Sequence, residues 1–214
     1  MTASDMVIAI ALIPAFLLVF VLLMMIRKRR KRTGAALSKW AKLALLIAMI
    51  IAVGFAFNGY LQKRASDEQI EQVEYIEKGK EAGRHGDFTE AMRWLIKASD
   101  LGSAAAQCDI GVMYENGQGV PVNYAEAAKW YGKSAEHGNA AAQYNLGMMY
   151  FKGQGIPQDY VQAYVWFDIA ASGTDTSENN TSEVARIQRD FLAKQMSEAQ
   201  LAEAQRKATE WKPK

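Results

Sequence analysis

Cysteine is almost missing from this chain. Cys108 stands alone, so no intrachain disulfide and no cysteine metal site can be built. Histidine is nearly as scarce. His85 and His137 have no His, Cys or carboxylate neighbour at metal-ligand spacing, so the residues call for no metal and no cofactor. No nucleophile–base pair stands out, which argues against an enzyme; a hydrolase of envelope substrates would need one. Charge is also absent from two long stretches, 6–26 and 43–61, both filled with Leu, Ile, Val, Ala and Met. Each is long enough to cross a hydrocarbon core of about 30 Å as a helix.

The two runs predict a transmembrane hairpin over 1–61. The first run is not read as a cleaved signal peptide, because positive charge follows it instead of preceding it. Between the runs lies the loop 27–42, with the basic hexamer Arg27, Lys28, Arg29, Arg30, Lys31 and Arg32 followed by Lys39 and Lys42. Positive residues flanking spans stay on the cytoplasmic side, which places everything after Leu61 outside, the periplasm in a bacterium. Lys63 and Arg64 pull the other way but are outnumbered. The expected location is therefore the bacterial inner (cytoplasmic) membrane with an extracytoplasmic domain. Arg27 to Arg32 would also meet anionic lipid headgroups.

The formal charge of +2 conceals a division. Beyond Leu61 the net is −5, and no basic stripe of the kind nucleic-acid binders need is present. Nucleic acid is excluded as a main ligand.

What the chain does have is repetition. Ala106-Gln107, Ile110-Gly111, Tyr114, Gly117-Gln118-Gly119-Val120-Pro121, Tyr124, Ala127 and Trp130-Tyr131 return as Ala142-Gln143, Leu146-Gly147, Tyr150, Gly153-Gln154-Gly155-Ile156-Pro157, Tyr160, Ala163 and Trp166-Phe167, thirty-six residues later. A fixed period of this size signals a helical solenoid, whose units bury apolar surface against their neighbours. The fold class is all-α, with the hairpin followed by a short α-solenoid of helix–turn–helix units. Residues 62–74 read as a linker entering the first helix. The solenoid covers 75–181, in units 75–102, 103–138 and 139–173 followed by a loop. Residues 182–214 read as capping helices, the first amphipathic through Val184, Ile187, Phe191 and Leu192, the second opening on a capping box at Ser197.

The Gly-Gln-Gly segments follow a helix and precede a proline, so they read as helix stops and turns and not as phosphate loops. Gly111 and Gly147 lie inside helices, at a cost of about 1 kcal/mol each against alanine. Close approach of the paired helix, where Ala127 and Ala163 are small, is the expected return. Tyr124, Trp130, Tyr131, Tyr160, Trp166 and Phe167 read mostly as interhelical core.

These motifs resemble Sel-like repeats, longer relatives of the tetratricopeptide repeat. The resemblance rests on Ala-x-x-x-Leu/Ile-Gly-x-x-Tyr, Gly-x-Gly-Val/Ile-Pro and Tyr-x-x-Ala-x-x-Trp-Tyr/Phe, twice in register, and covers about 75–212. The unit at 75–102 lacks the Gly-Gln-Gly loop and looks like an ordinary tetratricopeptide unit. The resemblance implies a right-handed superhelix that binds proteins or peptides. Members linked to β-lactam binding or hydrolysis carry a cysteine pair in each repeat, whereas this chain has one cysteine.

The functional expectation is a membrane-anchored scaffold that binds a protein or peptide partner outside the cytoplasmic membrane. The alternatives are an envelope hydrolase and a structural subunit assembled through its spans. Helical geometry turns Cys108, Val112 and Glu115, and in the next unit Tyr144, Met148 and Phe151, away from the paired helix. These six are the expected partner-binding residues, and cover by a neighbouring helix pair is the competing reading.

Overall fold

The computed structural model describes residues 39–173 and 180–213, and side chains from residue 46 onward. Every element among these residues is helical: α1 Lys39–Arg84, α2 Phe88–Asp100, α3 Ala104–Asn116, α4 Tyr124–Glu136, α5 Ala140–Lys152, α6 Tyr160–Ser172, α7 Thr181–Ala193 and α8 Glu198–Glu210. The chain divides into two compact units, Met1–Gln69 and Ile70–Lys214.

In the first unit, the described part is the apolar stretch of α1 and the polar turns after it. Among the described residues, α1 is the one helix long and apolar enough to cross a membrane. Its large side chains lie bare, with Phe55 76% exposed and Ile50 62%. The other expected span, 6–26, and the basic hexamer Arg27 to Arg32 lie outside the described residues. Residues 62–74, expected as a linker, are helical. Their Ser, Asp, Glu and Gln side chains suggested a loop, but neither Gly nor Pro interrupts this stretch and the Arg64–Glu68 and Glu74–Lys78 pairs sit at helical spacing.

In the second unit, α2 to α8 run thirteen residues each. Except for α7, whose preceding Asn180 makes no such bond, their starts are set by side chains that accept a hydrogen bond from the third helical residue. Asp87, Ser103, Asn123, Asn139 and Asp159 do so for α2 to α6. Ser197 and Gln200 close the expected capping box on α8. The α3 and α5 helices stop at Gly117 and Gly153, both left-handed, as the helix-stop reading requires. The following glycines, Gly119 and Gly155, serve a different end. A side chain at Gly155 would overlap the backbone of Tyr124 and Ala125, and one at Gly119 the backbone of Phe88. Each loop therefore lies against the start of the preceding unit's second helix.

The helices pair α3 with α4 and α5 with α6, and α4 also packs on α5. Three apolar clusters result, one centred on each unit. Tyr114 packs against the first and second clusters, and Tyr150 against the second and third. The glycine inside each first helix faces a large side chain on the second. A Cβ at Gly111 would fall 2.6 Å from the Tyr131 ring, and one at Gly147 would fall 2.7 Å from the Phe167 ring. Gly79 stands against Leu95 in the same way. The close approach expected at Ala127 and Ala163 places a ring in a notch at both glycines, with the Ala163 carbonyl 3.3 Å from the Gly147 position as well.

The closing helices differ from expectation in the face they bury. α7 turns Ala185 and Leu192 inward onto α6. Ile187 and Phe191 stay 56% and 51% exposed, and Val184 is exposed too. The Arg189–Asp168 ion pair at 2.9 Å holds α7 in this rotation. Both α7 and α8 pack on α6.

Replacing Gly147 with alanine sets a helix-propensity gain of about 1 kcal/mol against overpacking of roughly 1–3 kcal/mol. Because the Cβ would meet a ring wedged between helices, overpacking wins. Gly147→Ala is expected to lower the thermal midpoint by several degrees, as read by circular dichroism. An unchanged or higher midpoint would show that the ring can move aside.

Candidate binding surface

The first helices of the units are flanked on both sides. One side meets the paired helix, and the other meets the next unit. This second contact decides the fate of the six expected partner-binding residues. Cys108 is 6% exposed, in a cluster with Tyr131, Leu146 and Met149, and Val112 packs against that cluster. The Glu115 carboxylate accepts a 2.6 Å hydrogen bond from the Tyr131 hydroxyl. In the next unit Tyr144, Met148 and Phe151 pack against the third cluster. Tyr144 tilts against Phe167 at 5.7 Å between centroids. Phe151 lies 5.7 Å from Tyr160 and 6.5 Å from Phe191. The structure thus brings each set of three together in a seam between units. Cys108 is buried there, and the other five are half-buried, each packed by one side and accessible by the other.

The seam carries polar groups under strong local influence. Burial, then the hydrogen bond to Glu115, pushes the Tyr131 phenol upward, while a hydrogen bond with Asn145 works against this. Burial, reinforced by the charges of Asp109 and Glu115, pushes the Cys108 thiol up to about 12. Burial raises the Asp109 carboxyl, and Lys80 partly offsets it. Burial thus disfavours the charged form of each of these groups. Among the described residues, no group of three or more His, Cys, Asp or Glu could hold a metal ion.

The second helices carry the periodic surface feature. Trp94, Trp130 and Trp166 recur at the period of the array, each next to the buried Leu95, Tyr131 or Phe167. The tryptophans themselves are half-buried. Trp94 stacks on Tyr75 at 5.6 Å, with the Lys97 and Lys78 ammonium groups 3.9 Å and 4.7 Å from its ring centroid. Trp130 has Lys133 over its ring at 4.1 Å. In the third unit the lysine position holds Ile169, which is buried, and Trp166 meets the edge of Trp211 at 6.1 Å. Sequence reasoning assigned Trp130 and Trp166 to the core. The exposed lysine three residues after Trp94 and Trp130, and the buried isoleucine after Trp166, were the available signal that this position lies at a boundary.

Residues 74–103, 104–139 and 140–175 match the Sel1 repeat. The structure is similar to a protective antigen of uropathogenic Escherichia coli strains that displays an SLR fold. That match has 27% identity and a TM-score of 0.58 and covers 82% of this chain and 33% of the other. It is also similar to a Sel1 repeat protein from Oxalobacter formigenes, with 31% identity and a TM-score of 0.50, covering 63% of this chain and 55% of that one. The matches span about a third of the first relative and just over half of the second. No curated protein sequence matches the chain.

Two outcomes follow from the buried seam. The Cys108 thiol should not react with a disulfide reagent at mildly alkaline pH in the folded chain, and should react at once in denaturant. Fast native reaction, read by absorbance, would mean that the seam opens. For Asp109, the folded-state value lies above the unfolded one. The stability tied to its neutral form is full below the ordinary carboxylate value and is lost as pH rises through the raised one. Asp109→Asn should therefore raise the thermal midpoint at about pH 7, with the gain shrinking toward about pH 3.5. A gain that does not depend on pH would contradict burial as its cause.

Proposed function

We propose, taking as premise the three Sel1 repeats that residues 74–175 carry, that this chain is a membrane-anchored scaffold that binds a protein or peptide partner. The observation that carries the reading is how the array spends its polar and apolar groups. Capped helices, ring-in-notch contacts and seam clusters serve packing. The titratable groups of the seam are occupied in the same way. What faces outward and recurs is a surface, and repeat arrays use such surfaces for recognition.

The anchor is proposed from the bare apolar side chains of α1, where Leu46, Ile47, Ile50, Phe55 and Phe57 have no cover. The charge-free run 6–26 would be a second span. The basic loop 27–42 would then face the cytoplasm and meet anionic headgroups through Arg27 to Arg32, with the repeats on the outer side. The partner would be a protein or peptide met there.

Two experiments test this reading. In a Cys108→Ser background, Lys152→Cys should be labelled in intact cells by an impermeant thiol reagent. Labelling only after lysis would place the repeats in the cytoplasm and overturn the outer-side assignment. A photo-crosslinking residue at exposed positions on α2, α4 and their loops should trap one discrete partner protein. The adduct should persist when residues 1–61 are replaced by an unrelated two-span anchor. Its loss in that chimera would favour a structural subunit assembled through its spans, and no adduct from any position would overturn the scaffold reading.

A further inference from the structure

The three tryptophans are equivalent by position but not by company. Trp94, in the first unit, stacks on Tyr75 of the same chain. Trp166, in the third, receives the edge of Trp211 from the segment that follows α8. Among the described residues, the ring of Trp130 has no aromatic partner of this kind; Lys133 alone is placed over it. Both end units thus fill the tryptophan position with a second aromatic side chain, and the middle unit leaves it to a cation.

The surroundings of Trp130 are fixed. Its ring packs against the cluster formed by Ala91, Leu95, Ala98 and Ile110, so the indole is held by its inner side and presented by its outer side. A rigid, half-buried aromatic is the type of side chain that dominates binding energy at protein interfaces. Lys133 adds charge. Among the described residues neither it nor Lys97, its equivalent on the first unit, takes part in an ion pair. Other cations of the array differ: Arg93, Lys129 and Lys78 are each paired with a glutamate on their own helix. Lys97 and Lys133, three residues after their tryptophans, thus remain open to a carboxylate from elsewhere.

The third unit shows what kind of segment suits the position. After α8 the chain leaves the helical path at Trp211, which has extended backbone angles. Trp211 meets Trp166, and Pro213 lies beside Gly138 in the turn after α4. A short extended stretch with an aromatic side chain therefore seats on this tryptophan position within the chain itself. At the third unit the lysine is replaced by Ile169, so the internal occupant needs no acid, and it carries Lys212 instead. At the second unit Lys133 selects the opposite charge.

We propose that the Trp130–Lys133 face docks an extended segment of a partner protein that carries an aromatic side chain flanked by Asp or Glu. The proposal rests on the scaffold reading and specifies the chemistry of its partner. The aromatic ring packs on the outer side of Trp130, where its equivalents meet Tyr75 and Trp211. The acidic groups pair with Lys133 and, one unit along, with Lys97.

The test uses the full chain in detergent micelles, labelled with 5-fluorotryptophan, and three synthetic peptides. One is Glu-Asp-Trp-Glu-Pro, one has lysine in place of each acid, and one has alanine in place of tryptophan. The expected result is a saturable shift of the Trp130 fluorine resonance with the acidic tryptophan peptide, and much weaker shifts with the other two. Lys133→Glu should weaken that binding by about fivefold at low salt, with an unchanged circular dichroism spectrum. Assignment comes from conservative Trp→Phe variants; if Trp130→Phe fails to fold, it comes from the resonance that Lys133→Glu perturbs. No shift with any peptide would overturn the proposal, as would equal binding of the lysine peptide or a shift confined to Trp166 and Trp211. In those cases a crosslinked adduct mapped to another face would leave the scaffold reading standing.

Discussion

The array depends on one contact repeated three times: a large side chain from the second helix of a unit seated where the first helix has only a glycine. Leu95 stands at Gly79, Tyr131 at Gly111 and Phe167 at Gly147. At Gly111 and Gly147 the glycine gives up helix propensity so that the helices can close to a distance a methyl group would forbid, and at Gly79 the fit to Leu95 is tight, 3.1 Å. Tyr131 and Phe167 are among the most completely buried side chains of the protein. Once each pair is closed in this way, the other faces of its helices are set. The loop glycines Gly119 and Gly155 then reach the backbone of the preceding unit without steric conflict. A unit of this size has too little apolar surface to stand alone, and these contacts make the neighbours mutually necessary.

Burial of the seam also constrains its chemistry. Tyr131 is at once the ring in the notch and the donor to Glu115. The hydrogen bond gives the phenol a partner where an unpaired hydroxyl would be costly. Ser134, fully buried on the same helix, donates to the Ala104 carbonyl at 2.6 Å, and the Gln143 amide donates to the Ala135 carbonyl. Among the buried polar side chains, Ser134 and Gln143 are thus tied to backbone carbonyls and Ser103 caps α3, while the Gln107 Oε1 has no partner among the described residues. Groups that would be candidates for chemistry in an open cleft, a thiol and a carboxyl among them, are held in their neutral forms at Cys108 and pushed toward it at Asp109.

Much of this was legible in the residues. The thirty-six-residue period, the glycine stops and the capping box at Ser197 are local features, and local rules read them correctly. The failures share a physical cause. A helical wheel shows which side of α5 faces away from α6; it does not show how far the helices after α6 return against Tyr144, Met148 and Phe151, which are half-buried on the third cluster. The apolar stripe of α7 looked like its buried face, but small Ala185 and well-fitted Leu192 face α6, and Arg189 anchors to Asp168. Trp130 was read as mostly core because it recurs, and it does pack on the first cluster by one side while staying half-buried. Recurrence marks a shared position, and the identity of residue i+3 decides how exposed that position is.

The central claim is that the first helices of the units are packed on both sides and shared between neighbouring clusters. Hydrogen exchange of the full chain under native conditions tests this most directly. The account predicts that the amides of α3 and α5 are the most protected of the array and open together as denaturant is added, because each lies between two clusters. Early, independent exchange of α5 while α6 stays protected would contradict it.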